Sequence, residues 1–427
     1  MKETRQSAVA PPSVDGERLW STLQALGRIG ETPRGMDRIA FSPAEIEARA
    51  YVTALLGDAG LATRVDAAGN LIATRAGTAT GLRPIAMGSH IDTVPMGGKF
   101  DGALGVIAAI EVVRTLRDRG ITTRHPLEVI AFTNEEGGRF HRGLFGSRAM
   151  AGLLVPDDLT VVDDGGLGLA EHLARVGGDR AKIGDATRAP GSLAGYLEYH
   201  IEQGPELERA GKQIGVVTGI TGRFVLEVDI QGTTNHAGTT PMDLRHDAMV
   251  AGAHVALVVQ RLAAEEKACR VGTLGVVHVR PGAVNVIPGA AHLEAEFRDL
   301  EMSRLEDTER RFVAACARIA ADTGTKIDVK RQEIVQAAPT AARYREIVEA
   351  VARGLGHSTM PVPSGAGHDA QAIAQICDIG MIFVPSRAGV SHAIEEFTPE
   401  DDCVRGANVL LATLLELDRS LDAKETR

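Results

Sequence analysis

The chain lacks a CxxC pair. Its four cysteines, Cys269, Cys316, Cys377 and Cys403, are scattered, which reads as reduced thiols rather than a disulfide framework. It also lacks a basic cluster: net charge is −10 and the isoelectric point near 5.8. Neutralising phosphates needs a lysine- and arginine-rich face, so nucleic acid is disfavoured as a partner. No apolar run approaches the roughly 20 residues that span a bilayer. The best candidate, "GALGVIAAIEVV", follows Asp101, carries Glu111, and reads as a buried helix. The N-terminal "MKETRQSAVAPPSVDGERLW" has no apolar core of signal-peptide type. Internal repeats and low-complexity tracts are missing too. These absences together predict a soluble, cytoplasmic protein without a membrane partner.

What remains is an ordinary globular composition, 44% apolar and 24% charged, in 427 residues. That length exceeds one core and predicts two or three packed units. After a loose tail ending in Pro11 and Pro12, "GERLWSTLQALGRIG" reads as a helix closed by Gly30. A second helix starts at Ser42, with Pro43 at its first position, Glu45 completing a capping box, and Gly60 at its end. Short strand-like runs follow ("ATRVDA", "NLIATRAG", "PIAMGSH"), then the apolar helix 103–118 and the strand "PLEVIAFT". Alternation of this kind predicts an α/β sheet covered on both faces, with functional groups at the carboxyl ends of strands. From about residue 221 the order becomes βαββαβ, a small α+β domain interrupting the larger one. The expected bounds are 13–220 with 335–427 for a discontinuous catalytic domain, and 221–334 for the insertion.

Chemistry-bearing residues gather at the predicted strand ends. "GSHIDT" sets Asp92 two residues after His90, and a metal-binding histidine usually hands its second ring N–H to a carboxylate. Alone, His-x-Asp is also an ordinary surface loop. In "GGKFDGALG" glycines flank Asp101, which is either a helix N-cap or a ligand between two cations. "TNEEGGRF" places Glu135 beside Glu136. Two adjacent carboxylates form a solvated acidic turn, or they share out the chemistry between them. In the second case one binds metal, and the other moves a proton from a water that a divalent ion has acidified. His200 in "YLEYHIEQGPELE", His236 in "GTTNHAGTTPMDLRHDA" and His392 in "SRAGVSHAIEEFTPED" stand at strand ends or in glycine-rich loops. Histidine and carboxylate donors in such number point toward a two-metal site, though spacing alone does not make them converge.

Taken in order, "GSHIDTV…GGKFDGALGV", "AFTNEEGGRF…GSRAMAG", "HIEQGP", "TNHAGTTPMDLRHDA", "NVIPG" and "SGAGHDAQ…SH" resemble the hydantoinase/carbamoylase-type amidases. These form a branch of the dinuclear-metal aminoacylases and exopeptidases, and the resemblance runs from about residue 19 to about 415. It implies two divalent ions (zinc, manganese, cobalt or nickel) held by His90, Asp101, Glu136, His200 and His392, with Asp101 between them. It further implies Glu135 as general base, Asp92 as the carboxylate behind His90, and His236 as a group that reaches the partner subunit's site to steady the tetrahedral intermediate. Gln203, Asn285, Arg298, Gly367 and His368 correspond to substrate-binding positions, Asn285 and Arg298 receiving a carboxylate. Arg298, between Glu296 and Asp299, also suits a strand-face ion pair, and Asn285 a turn. One departure is Met96, near the metals by this resemblance, where the family commonly has asparagine.

The implied protein is a homodimeric mixed-sheet α/β metallo-hydrolase. Its βαββαβ insertion serves as dimerisation and lid domain, with hinges near 220 and 335. The implied reaction hydrolyses N-carbamoyl-L-amino acids to amino acid, CO2 and ammonia. N-carbamoyl-β-alanine and allantoate are the nearer alternative substrates, a dipeptidase or aminoacylase the more distant one. A binding protein on the same scaffold, without turnover, is the alternative of another class.

Overall fold

The structure, a computed structural model, describes residues 12–421. Of the N-terminal tail read from the sequence, all but Pro12 lies outside the described residues. Two compact units are present, one running to Thr218 and resuming at Thr340, the other comprising Gly219–Pro339.

In the first unit the chain forms helices α1 (Gly16–Leu26) and α2 (Pro43–Asp58), then strands β1 (Ala62–Val65), β2 (Leu71–Arg75) and β3 (Ile85–His90). Helix α3 (Ala103–Asp118) and strands β4 (Leu127–Phe132), β5 (Gly195–Ile201) and β6 (Ile214–Ile220) follow. The start of α2 departs from the expected capping box. Ser42 caps as predicted, its hydroxyl accepting the Glu45 N–H at 3.1 Å. The Glu45 carboxylate, however, takes the N–H of Phe41 at 3.1 Å, while the Ser42 N–H goes to the Ile39 carbonyl, so one side chain closes a tighter turn into the helix. α3 is buried from Ala103 to Leu116, as an all-round apolar helix must be. Its one acid before the last residue, Glu111, meets the Arg18 guanidinium in a two-pronged pair at 2.7 Å on each oxygen.

The second unit is built from β7 (Gly222–Gln231), α4 (Ala248–Gln260), β8 (Val271–Arg280), β9 (Ala290–Asp299), α5 (Met302–Thr323) and β10 (Lys326–Val335). The sheet is antiparallel in the order β8-β9-β7-β10. Burial alternates cleanly along β7 and β9, so one face carries Phe224, Leu226, Val228, Leu293 and Phe297 into a core with Val255, Phe312 and Cys316. The opposite face carries a cross-strand charge ladder in which His292 Nδ1 lies 2.9 Å from Asp229. The stretch Ala248–Glu265 has the length and hydropathy of a membrane span, which the sequence reading did not anticipate, yet its Ala251, Val255 and Val259 lie in this core.

Back in the first unit, α6 (Ala342–Gly354), β11 (Thr359–Ser364), β12 (Ile379–Val384) and α7 (Glu400–Ser420) complete the fold. The main sheet runs β6-β12-β5-β3-β4-β2-β1, with β11 also on β6. Its middle four strands, β12, β5, β3 and β4, are parallel and buried along their whole length. Their carboxyl ends therefore share one edge of the sheet.

Candidate metal centre

β3 ends in His90, β5 carries His200 just before its last residue, and the turn after β4 presents Glu135 and Glu136. Asp101 arrives in the turn before α3, and His392 in the segment after β12. The structure shows Asp101 not to be an N-cap: Gly102 holds that position with φ +62°, and the Asp101 side chain turns to the histidines. Its Oδ1 lies 3.2 Å from His200 Nε2 and 3.5 Å from His90 Nε2, and its Oδ2 lies 3.3 Å from His392 Nε2. His392 Nε2 is also 3.5 Å from Glu136, and His90 Nε2 3.5 Å from Glu135. Three donor groups result, each spanning no more than 4.8 Å: His90–Asp101–His200, Asp101–Glu136–His392 and His90–Glu135–Glu136. All these residues belong to the first unit. A Cβ on Gly102 would lie 2.4 Å from the His90 ring, so glycine there is what lets helix and imidazole meet.

Asp92 does something other than the sequence reading assigned. His90 Nδ1 pairs with the Asp92 backbone carbonyl at 3.0 Å, while the carboxylate stands 3.7 Å away. That carboxylate instead accepts the backbone N–H of Glu135 on one oxygen and of Glu136 on the other, each at 3.2 Å. One buried acid thus fixes both peptides of the glutamate pair.

Four carboxylates around three imidazoles leave the cluster short of positive charge. Burial, with Glu136, Asp369 and Asp92 nearby, pushes the Glu135 carboxyl well above its usual range, and burial together with Asp101 carries Glu136 to about 8. Burial pulls His90 down, but Glu135, Asp101 and Asp92 outweigh it and raise the imidazole well above its usual value. Asp101 brings His392 to about 9. Among the described residues, buried Glu136 Oε1 and Gln203 Oε1 have no protein partner. Oxygen and nitrogen donors, clustered and partly unsatisfied, fit a divalent cation.

The remaining sequence-predicted residues divide between the units. Gln203, with φ +57°, gives its side-chain N–H to Asp101 Oδ2 at 2.6 Å. His368 packs its ring edge-on against His200 at 4.6 Å and shares a 2.8 Å bond with the Ser364 hydroxyl; burial and His200 hold it well below its usual pKa, hence neutral. Gly367 precedes it, beside Gln371. Met96 sits in the turn between Asp92 and Asp101, left-handed and 48% exposed. In the second unit His236 bridges to Val286, and Ala237 bonds the Asn285 carbonyl at 2.9 Å, so His236 and Asn285 share one backbone pairing. Arg298 makes the strand-face pair weighed above: its Nε and Nη2 reach the two oxygens of Glu296 at 2.6 and 3.0 Å.

Sequence reading missed the polar residues behind the donors. Ser391 lies 2.9 Å from Asp101 Oδ2, and Glu198 accepts the Ser89 hydroxyl at 2.7 Å beneath His200. Glu396 accepts the N–H groups of Phe100 and Asp101. The signal that could have found it was a second glutamate pair, Glu395–Glu396, shortly beyond His392.

Residues 86–416 match the model of Peptidase family M20/M25/M40. The chain is 41% identical over 405 residues to the N-carbamoyl-L-amino acid amidohydrolase of Geobacillus stearothermophilus, covering 95% of this chain and 99% of that protein. The crystal structure of an amidase of the hydantoinase/carbamoylase family from Burkholderia multivorans superposes with a TM-score of 0.88 at 36% identity, over 95% of this chain and 98% of that one. The chain belongs to the hydantoinase/carbamoylase-type amidases of this peptidase family. The ureidoglycolate hydrolase of Arabidopsis thaliana is 36% identical to it over 423 residues, 96% of this chain and 88% of that protein. As a hydantoinase/carbamoylase-type amidase it is a hydrolase of a metal-dependent family, and the donor groups around Asp101 could hold a divalent ion.

Proposed function

We propose that the chain hydrolyses the ureido group of N-carbamoyl-L-amino acids, releasing amino acid, CO2 and ammonia. The observation that carries this is the pair Glu135–Glu136, presented together by Asp92 beside an aspartate whose two oxygens face different histidines. His90, His200 and Asp101 Oδ1 would hold one divalent ion, and His392, Glu136 and Asp101 Oδ2 a second, drawn from zinc, manganese, cobalt or nickel. When bound, such ions acidify water and polarise a carbonyl. Glu136 would then serve as ligand, while Glu135 takes a proton from the attacking water and returns it to the leaving nitrogen. Arg298 and Asn285 receive the substrate carboxylate, a guanidinium fork matching a carboxylate in geometry. His236 steadies developing oxyanion charge, and Gln203, Gly367 and His368 line the substrate side.

A homodimer suits the second unit. α4 and its approach expose Met242, Leu244, Val250 and Leu257, and among the described residues β8 is an edge strand of its sheet, beside that helix. N-carbamoyl-β-alanine differs from the proposed substrate by one methylene and is the nearest alternative, followed by allantoate, with the ureidoglycolate hydrolase relative keeping that branch in view. The test is ammonia release by metal-reconstituted protein from N-carbamoyl-L-α-amino acids, N-carbamoyl-β-alanine and allantoate, with free amine followed for dipeptides. Turnover of carbamoyl-L-amino acids supports the proposal. Cleavage of dipeptides alone, or of nothing, overturns it.

A further inference from the structure

We infer that Glu396 is a positioning residue for one half of the metal centre, the half made by Asp101 Oδ2, Glu136 and His392; this rests on the ligand assignment proposed above. Two segments nearly 300 residues apart in sequence meet on this single carboxylate, which is only 4% exposed. Its Oε1 accepts the backbone N–H of Phe100 at 2.8 Å and of Asp101 at 3.1 Å. Its Oε2 lies 2.8 Å from the Ser391 hydroxyl and 3.4 Å from the His392 N–H. Ser391 in turn stands 2.9 Å from Asp101 Oδ2, so its one proton is shared between the two carboxylates. Asp101 is therefore gripped twice through Glu396, once at its peptide and once at the oxygen facing His392.

The segment needs such a grip. His392 sits on a left-handed backbone, φ +57°, and its side chain is 48% exposed, so neither burial nor regular structure fixes its imidazole. His90 and His200, by contrast, stand on fully buried strands. Room for the carboxyl group comes from Gly98, where a Cβ would lie 2.1 Å from Glu396 Cδ and 2.4 Å from its Cβ. A swing of the carboxyl group would not relieve the second contact. Gly98 is not among the positive-φ glycines, so the clash itself is what alanine there would introduce.

A staple that merely holds two loops together would affect both ions alike. A positioning residue weakens the ion that His392 binds and spares the one on His90 and His200. The experiment is calorimetric titration of chelator-stripped protein with Mn2+, comparing wild type, Glu396→Ala, Glu396→Gln, Gly98→Ala and His392→Ala. Wild type is expected to take two equivalents and His392→Ala to lose one. Glu396→Ala and Gly98→Ala should keep the equivalent that His392→Ala keeps, within about threefold, and weaken the other roughly 10–100-fold. Glu396→Gln should fall between these and wild type, because its amide oxygen still accepts the Phe100 and Asp101 N–H groups. Should Glu396→Ala fail to fold, Glu396→Gln and Gly98→Ala carry the same test. Equal weakening of both equivalents, or none, overturns the inference. Two full equivalents in His392→Ala would instead overturn the ligand assignment beneath it.

Discussion

Replacing Asp92 by asparagine leaves the shape of the side chain but not its two-sided acceptance. Each carboxylate oxygen takes one N–H, from Glu135 and from Glu136, at 3.2 Å. A bond to a charged acceptor is worth about 1.5–3 kcal/mol and a neutral one about 1. Asparagine keeps one bond in neutral form and turns an N–H donor toward the other peptide, a loss of roughly 2–5 kcal/mol. In the metal-free protein that loss is offset, because burial already pushes the Asp92 carboxyl up and the amide removes a buried charge. With cations bound the charge is compensated, and the loss stands. Asp92→Asn should therefore melt close to wild type without metal, bind metal about 10–100-fold more weakly, and turn over more slowly once saturated. Melting curves with and without metal, metal titration and steady-state kinetics read these separately. A metal-free melting point many degrees lower, with affinity and turnover unchanged, would make Asp92 a fold staple and remove its link to the metal centre.

Gly102→Ala adds a Cβ 2.4 Å from the His90 ring at a φ of +62°, so metal content after dialysis should fall sharply while the far-UV spectrum persists. Arg298→Ala removes the proposed carboxylate fork and should lower kcat/KM roughly 30- to 1000-fold, about 2–4 kcal/mol, with metal content intact; unchanged kinetics would mean that Arg298 pairs with Glu296 and does not hold the substrate. Asp163 is held down to about 2, chiefly by the Leu167 N–H and then by His172 and Arg139. Its carboxylate adds stability that is full above its ordinary value of 3.8 and lost as pH falls through about 2. Asp163→Asn should therefore lower the melting point at about pH 6 and flatten its dependence on pH between about 4 and 2.

The fold was legible where pattern and function coincide. Unbroken apolar runs such as "LEVIAF" and "IGMIFV" are what a parallel strand buried on both faces requires, and the strict alternation of "RFVLEVDIQ" marks a sheet with one wet face. The donors were legible because histidines and acids at strand ends have few structural reasons to be there. Which member of an acidic pair is buried was not. Glu395 and Glu396 are neighbours of one type, and only the approach of Phe100 and Asp101, from far along the chain, gives the second its role. The same holds for Asp92, where two residues of sequence separation pointed to a carboxylate behind His90. Backbone geometry gave that place to the carbonyl and freed the carboxylate for the glutamate peptides.

Everything proposed for the centre depends on Glu135 moving protons while Glu136 holds metal. Metal content measured beside turnover in Glu135→Gln and Glu136→Gln separates the two roles. Glu135→Gln should retain wild-type metal and lose roughly 10²–10⁴ in kcat. Glu136→Gln should lose about one equivalent of metal and recover part of its turnover at high metal concentration. Metal loss in the first variant with metal retained in the second, or full turnover in both, would show that the glutamates do not divide the work in this way.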